Sequence, residues 1–171
     1  MPTVRQPRAG SLQYWPRKRA RRECPRIRTH PIVKEVGLVG FAGYKVGMTH
    51  VTAIETKKTS HLKGEEISFP VSIIECPPIR IISARFYKNT HNGMKLITEV
   101  FVASDKDLER KMNIPKKKKT FETPKEFDDV RVIVATKPML TGIGKKKPDV
   151  FELSLGGTNE EKINYIKSNI D

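Results

Sequence analysis

The sequence predicts a mixed β and α/β protein that is preceded by an extended basic arm. Three observations lead to this fold class. Residues 1–35 are basic, rich in proline and free of apolar periodicity. Residues 36–90 contain runs of β-branched and aromatic residues, which favour strands and indicate the N-terminal part of a β-barrel. Helical and strand patterns alternate beyond residue 100, so we place an α/β domain over residues 91–171, with an approximate boundary.

The arm at residues 1–35 has the composition of an RNA-binding segment. It contains ten Lys/Arg against two Glu, a net charge of +8 out of +14 for the whole chain. Its five prolines break helices and favour extended backbone, so it is not expected to fold alone. Most of its basic residues are arginines, which bind phosphate oxygens in pairs and stack on bases.

Aromatic residues between the arginines strengthen this interpretation, because unpaired RNA bases stack on aromatic rings. A solubilising tail and a nuclear-targeting signal at residues 17–22 are the alternatives for the arm. The arm residues that we predict to contact RNA are Arg5, Arg8, Tyr14, Trp15, Arg17, Lys18, Arg19, Arg21, Arg22, Arg26 and Arg28.

A glycine-rich stretch, residues 37–50, marks the start of the predicted barrel. Its four glycines lie among apolar residues, a pattern typical of a sharply bent strand or a barrel corner. Lys45 and nearby backbone amides are candidates for phosphate contact. For His50, an RNA contact and a core hydrogen bond are equally compatible with the sequence. The spacing matches neither a phosphate-binding loop nor a dinucleotide-binding motif.

Strands and turns can be placed along the rest of the chain. We expect the strands at 36–41 and 47–55 to pair with each other through the glycines. Residues 89–93 have strong turn chemistry between two further strands. Residues 104–107 are expected to begin a short helix, and Thr158 with Glu161 forms a capping-box pattern at the start of another. The remaining predicted strands are 69–75, 79–87, 95–103, 130–136 and 150–155.

Several separate segments resemble one known family. They are the glycine-rich Gly40–His50, the arm segments 7–20 and 25–28, Val71–Pro78 and Lys145–Asp149. In this order they are similar to large-subunit ribosomal protein uL3 of the archaeal/eukaryotic type. The resemblance runs along the whole chain and is specific, because unrelated segments agree in the right sequence.

The resemblance implies a six-stranded barrel of the translation-protein type with an α/β domain inserted into it. It also implies binding to large-subunit rRNA and contact with neighbouring large-subunit proteins, in the cytoplasm. The family's later barrel strands, and its internal loop toward the peptidyl transferase centre, have no counterpart in this sequence. A fragment, and a second polypeptide that completes the barrel, both remain open.

Two lysine runs are further candidates for phosphate contact. Lys145, Lys146 and Lys147 precede Pro148, and the basic arm makes an RNA surface the favoured interpretation over solvated loop charges. For the run at 116–119 the two interpretations are balanced, because four nearby acidic residues partly offset its charge.

The sequence argues against catalysis, metal binding and membrane insertion. Its four histidines and two cysteines lack metal-ligand spacing, and its adjacent acidic pairs would point to opposite faces of a strand. No apolar run reaches the roughly 18–20 residues of a spanning helix. We therefore expect no cofactor, no small-molecule substrate and no membrane partner. The favoured function is a structural, rRNA-binding component of the large subunit; the alternative is a free translation factor or RNA chaperone with a similar barrel.

Overall fold

Antiparallel strands dominate the structure. The computed structural model describes residues 5, 21–25, 27, 29–102, 105–115 and 121–169. The strands in these ranges are β1 (Gly37–Val39), β2 (Tyr44–Ile54), β3 (Glu66–Glu75), β4 (Ile79–Thr90), β5 (Gly93–Phe101), β6 (Asp129–Thr136) and β7 (Val150–Gly156). The helical segments are α1 (Asn159–Ser168) and the 3-10 turns Lys106–Arg110 and Pro138–Leu140.

A five-stranded sheet forms the centre of the fold. Its strand order is β1-β7-β6-β4-β5, and each neighbouring pair is antiparallel. Because side chains alternate along a strand, every second residue faces the main core. Helix α1 covers this face and buries Ile166 against it. The buried core residues of the strands on this side are Ile81, Ala84, Phe86, Val100, Val130, Val132, Val134, Leu153 and Leu155.

The opposite face of this sheet is divided into an apolar and a charged part. At one end Ile82, Ile133 and Ala135 pack against Leu108 of the first 3-10 turn. At the other end the same face bears Arg85, Arg131 and other charged side chains. Arm residues 21–25 lie across a cleft from this charged part.

Strands β2 and β3 form a separate two-stranded ribbon. They pair over almost their whole length, from Tyr44 opposite Glu75 to Ile54 opposite Glu66. Most of their side chains are exposed, including large apolar ones. Those with high exposure are Val46, Met48, Val51, Ile54, Phe69, Ile73 and Ile74. A two-stranded ribbon with such side chains is at best marginally stable by itself.

The end of the arm is attached to the sheet next to β7. Gly157 N–H donates a hydrogen bond of 2.9 Å to the carbonyl oxygen of Val33. A side chain at Gly156 would overlap the carbonyl oxygen of Glu35. Glycine at 156 therefore allows the arm backbone to pass directly over the sheet before β1 begins.

Many of the predicted elements are confirmed. The strands predicted at 69–75, 79–87, 95–103, 130–136 and 150–155 are present with shifted ends. The turn at 89–93 joins β4 to β5 with Gly93 at positive φ. The capping box of α1 is formed, and Thr158 N–H donates to Glu161 Oε2 at 2.7 Å.

The short helix predicted after residue 104 is a 3-10 turn at Lys106–Arg110. Ser104, which was expected to cap it, lies outside the described residues.

The predicted pairing of the strands at 36–41 and 47–55 is wrong. Strand β1 pairs with β7, and β2 pairs with β3. The cause is the backbone at Gly40, whose φ of 120° turns the chain between the two strands. The β2–β3 register shifts between Lys45 and Gly47 of the glycine-rich stretch, whereas the sharp bend or barrel corner expected there stays a prediction.

The described strands establish a mixed, mainly antiparallel β fold. The division at residue 90 stays a prediction, and the β4–β5 hairpin crosses that position.

We predict that Gly156→Ala lowers the free energy of unfolding by about 1–3 kcal/mol, because the new methyl group displaces the arm backbone. Urea titration measures this change. Gly142→Ala is the matched control, because a Cβ at Gly142 meets nothing within 4 Å. Equal midpoints for the two variants would contradict the attachment of the arm at Gly156.

Candidate nucleic-acid interface

A cleft separates the end of the arm from the charged part of the five-stranded sheet. Its volume is about 1150 Å³. Arm residues 21–25 line one side, and residues of β4, β5, β6 and β7 line the other. Lys145 and Lys147, from the loop before β7, complete the wall. The structure thus brings two of the predicted RNA-binding segments to one place.

A buried carboxylate, Asp149, anchors this region. Its side chain is 7% exposed. Tyr44 Oη donates a hydrogen bond of 2.6 Å to Asp149 Oδ2 and lies 2.9 Å from Thr136 Oγ1. Asp149 N–H donates to Thr136 Oγ1 at 3.0 Å. These bonds connect the first residue of β2 with the end of β6 and the residue before β7.

Lys145 joins this cluster to the arm. Its Nζ lies 2.8 Å from Asp149 Oδ2 and 3.1 Å from Glu23 Oε2. It also lies over the ring of Tyr44, 5.3 Å from the centroid, in a cation–π contact. Lys145 therefore stabilises the fold through these contacts and also lines the cleft.

The charge states of the cluster follow from these contacts. Burial alone would raise the pKa of Asp149, but hydrogen bonds from Lys145 and Tyr44 outweigh it and lower the pKa. The hydrogen bond to Asp149 is the largest influence that raises the pKa of Lys145. Burial and the hydrogen bond to Asp149 raise the pKa of Tyr44. Asp149 is thus an anion and Lys145 a cation at neutral pH.

The arginines of the sheet face are paired with acids. Arg85 contacts Glu99 at 2.8 Å and Glu152 at 2.9 Å. Arg131 contacts Glu152 and Asp129, each at 3.2 Å. Burial would raise the pKa of Glu152, but hydrogen bonds from Tyr87 and both arginines lower it. These arginines therefore hold the sheet face together and are poor candidates for phosphate binding.

The structure places the predicted site residues in two groups. Arg21, Arg22, Lys145 and Lys147 line the cleft, and exposed Lys146 lies beside them in the loop. Lys45 and His50 lie on the ribbon, where both side chains are exposed. Both alternatives for His50, an RNA contact and a core hydrogen bond, therefore stay predictions.

Arg5 is exposed. The other predicted arm residues lie outside the described part of the chain, as does the run at 116–119. These arm residues are Arg8, Tyr14, Trp15, Arg17, Lys18, Arg19, Arg26 and Arg28.

Sequence reasoning missed Tyr44, Asp149 and Glu23. Lys145 and Asp149 are four residues apart in the sequence. A strand or loop pattern does not show whether two such residues form an ion pair. The contacts of Tyr44 and Glu23 join residues about 90 to 120 positions apart. A single sequence holds no signal for them.

Within the described ranges, no group of three or more His, Cys, Asp or Glu is arranged to hold a metal ion. Among the helices of the same ranges, none is long and apolar enough to span a membrane.

Comparisons with known proteins give a consistent result. The family model described as ribosomal protein L3 matches residues 1–129. Large ribosomal subunit protein uL3 of Methanosphaera stadtmanae is 45% identical over 173 residues, covering 95% of this chain and 51% of that protein. The uL3 protein of Archaeoglobus fulgidus is 44% identical over 171 residues, covering 96% of this chain and 52% of its own length.

The uL3 protein of Methanothermobacter thermautotrophicus is 46% identical over 170 residues, covering 94% of this chain and 50% of its own length. The chain therefore spans about half the length of the curated relatives that it matches. These relatives are named as ribosomal proteins and not as enzymes, in agreement with the expectation of no catalytic role.

The comparisons define the class of this chain as ribosomal. The chain belongs to the ribosomal protein L3 family. The resemblance drawn from the glycine-rich stretch and the arm is thereby confirmed.

We predict that Asp149→Asn destabilises the protein at neutral pH by about 1–3 kcal/mol, because Lys145 and Tyr44 lose a charged acceptor. Because folding lowers the pKa of Asp149, its carboxylate stabilises the fold at pH values above the pKa of the unfolded state, which is near 3.9. This stabilisation is lost as the pH falls through the lower pKa of the folded state. Unfolding midpoints between pH 2 and 7 should therefore depend less on pH in the variant.

Glu109→Gln, which removes an exposed carboxylate from the first 3-10 turn, is the control for this experiment. If both variants show the wild-type pH dependence, Asp149 does not anchor the cluster.

Proposed function

We propose that this chain is part of a structural protein of the large ribosomal subunit, where it binds large-subunit rRNA and supports subunit assembly. Membership of the ribosomal protein L3 family is the observation on which the proposal rests. The expected partners are the rRNA and neighbouring large-subunit proteins in the cytoplasmic ribosome. The names of the relatives favour this function over a free translation factor or RNA chaperone.

The distribution of charge supports RNA binding at the cleft. Arg21, Arg22, Lys146 and Lys147 are exposed at or beside it. The acids of the sheet face are engaged by Arg85, Arg131 and other cations, so they do not cancel these exposed charges. Phosphate groups bind such clusters through charge and counterion release, with little dependence on base sequence.

The ribbon supports a second part of the proposal. We propose that β2 and β3 are strands of a translation-protein-type barrel, whose remaining strands lie in the part of the relatives that this chain does not match. The exposed apolar side chains of the ribbon are the surface that those strands would cover. The same argument applies whether they belong to a longer form of this chain or to a separate polypeptide.

We predict that Lys146→Gln with Lys147→Gln weakens binding to a large-subunit rRNA transcript. The slope of log K against log salt should become shallower by about 1.4, because two phosphate contacts are lost. Fluorescence anisotropy at several salt concentrations measures both quantities.

Lys57→Gln with Lys58→Gln removes the same charge from the exposed β2–β3 connection and is the control. Identical slopes for the two double variants would show that net charge alone determines binding and would refute the lysine loop as an RNA site.

We predict that the second half of a relative's uL3 protein, added to this chain, protects the ribbon. Amide hydrogen exchange of β2 and β3 should slow by at least about tenfold, because burial and new strand pairing suppress local opening. Exchange in β6, which already lies inside the five-stranded sheet, is the internal control. Unchanged exchange in the ribbon of a complex that has formed would contradict the barrel.

A further inference from the structure

The exposed carboxylate of Glu23 contacts a lysine whose other acidic partner is buried. Lys145 Nζ is shared between Asp149 at 2.8 Å and Glu23 at 3.1 Å. The Asp149 side chain is 7% exposed, whereas that of Glu23 is 82% exposed. Asp149 therefore belongs to the folded cluster, and Glu23 approaches the ammonium group from the solvent side.

Glu23 is also unusual in its own segment. It is the single acidic residue among residues 1–34, which contain ten Lys/Arg. An ion pair with one partner so exposed changes an equilibrium constant by only about twofold to fivefold. Contact between Glu23 and Lys145 is thus weak enough to be exchanged for a stronger anion.

We propose that Glu23 occupies, in the free protein, the position on Lys145 that a phosphodiester oxygen of RNA takes in the complex. This inference rests on the proposed function and adds a regulatory step to it. Carboxylate and phosphate oxygens both accept charge-assisted hydrogen bonds from an ammonium group, so one can replace the other. The exchange keeps Lys145 paired throughout, because Asp149 stays in place.

Displacement of Glu23 has a structural consequence for the arm. Among the described residues, the ion pair between Glu23 and Lys145 ties residues 21–25 to the lysine loop. Once it is broken, Arg21 and Arg22 are free to contact phosphates next to the one that Lys145 binds. RNA binding at the loop and release of the arm end are therefore coupled.

Zero-length carbodiimide crosslinking of the full chain tests this directly, because it joins a carboxylate to an amine in contact. The free protein should give a Glu23–Lys145 link, and a saturating large-subunit rRNA transcript should abolish it. The exposed pair Lys88–Glu126, at 2.6 Å, is the control link and should be unaffected. A Glu23–Lys145 link that persists with RNA, or that is missing from free protein in which the control link forms, overturns the inference.

Binding measurements with paired variants give a second test. Glu23→Gln should tighten transcript binding about twofold to fivefold more than Glu65→Gln, which makes the same charge change in the β2–β3 connection. This additional tightening should vanish when Glu23→Gln and Glu65→Gln are each made separately in a Lys145→Gln background. Equal effects of the two changes, or an excess that remains without Lys145, overturn the inference.

Failure of the inference can be distinguished from failure of the proposed function. If the wild-type chain does not bind the transcript, the proposed function is wrong and this inference falls with it. If the wild-type chain binds and Lys145→Gln weakens binding while the Glu23–Lys145 link persists, only the exchange of Glu23 for phosphate is wrong.

Discussion

The buried carboxylate of Asp149 is the interaction on which the arrangement of this chain depends. Tyr44 at the start of the ribbon and Lys145 in the loop both bind it, and Thr136 at the end of β6 accepts a hydrogen bond from its backbone. A buried anion is stable only when such partners are present, so the ribbon, the sheet and the loop must adopt one relative geometry. The position of the lysine loop beside the arm follows from this requirement.

The charges of the protein fall into two populations with different roles. On the sheet face, Arg85 and Arg131 share Glu152 and are further paired with other acids, so they stabilise the fold. At the cleft rim, Lys146, Lys147 and the arm arginines 21 and 22 remain exposed. Composition alone does not separate these populations, because an arginine in a sheet network and one at an RNA surface count equally toward a net charge of +14.

Local features of the fold could be predicted from the sequence, whereas pairings between distant segments could not. The β4–β5 turn and the start of α1 depend on nearby residues and were predicted correctly. The predicted pairing of β1 was wrong because its partner, β7, lies more than 100 residues away along the chain, while the glycines suggested a local pairing. Likewise the charge run at 145–147 is visible in the sequence, but the contacts of this loop with Glu23 and of Asp149 with Tyr44 join residues more than 100 positions apart.

We propose that the end of the arm and the lysine loop form one RNA-binding face. Ultraviolet crosslinking of assembled large subunits, followed by mass spectrometry and sequencing of the attached RNA, tests it most directly. We predict that peptides containing residues 21–25 and 145–147 crosslink to the same short stretch of large-subunit rRNA. Crosslinks of the two peptides to separate rRNA regions, or none from either peptide while other proteins of the particle crosslink, would contradict the account.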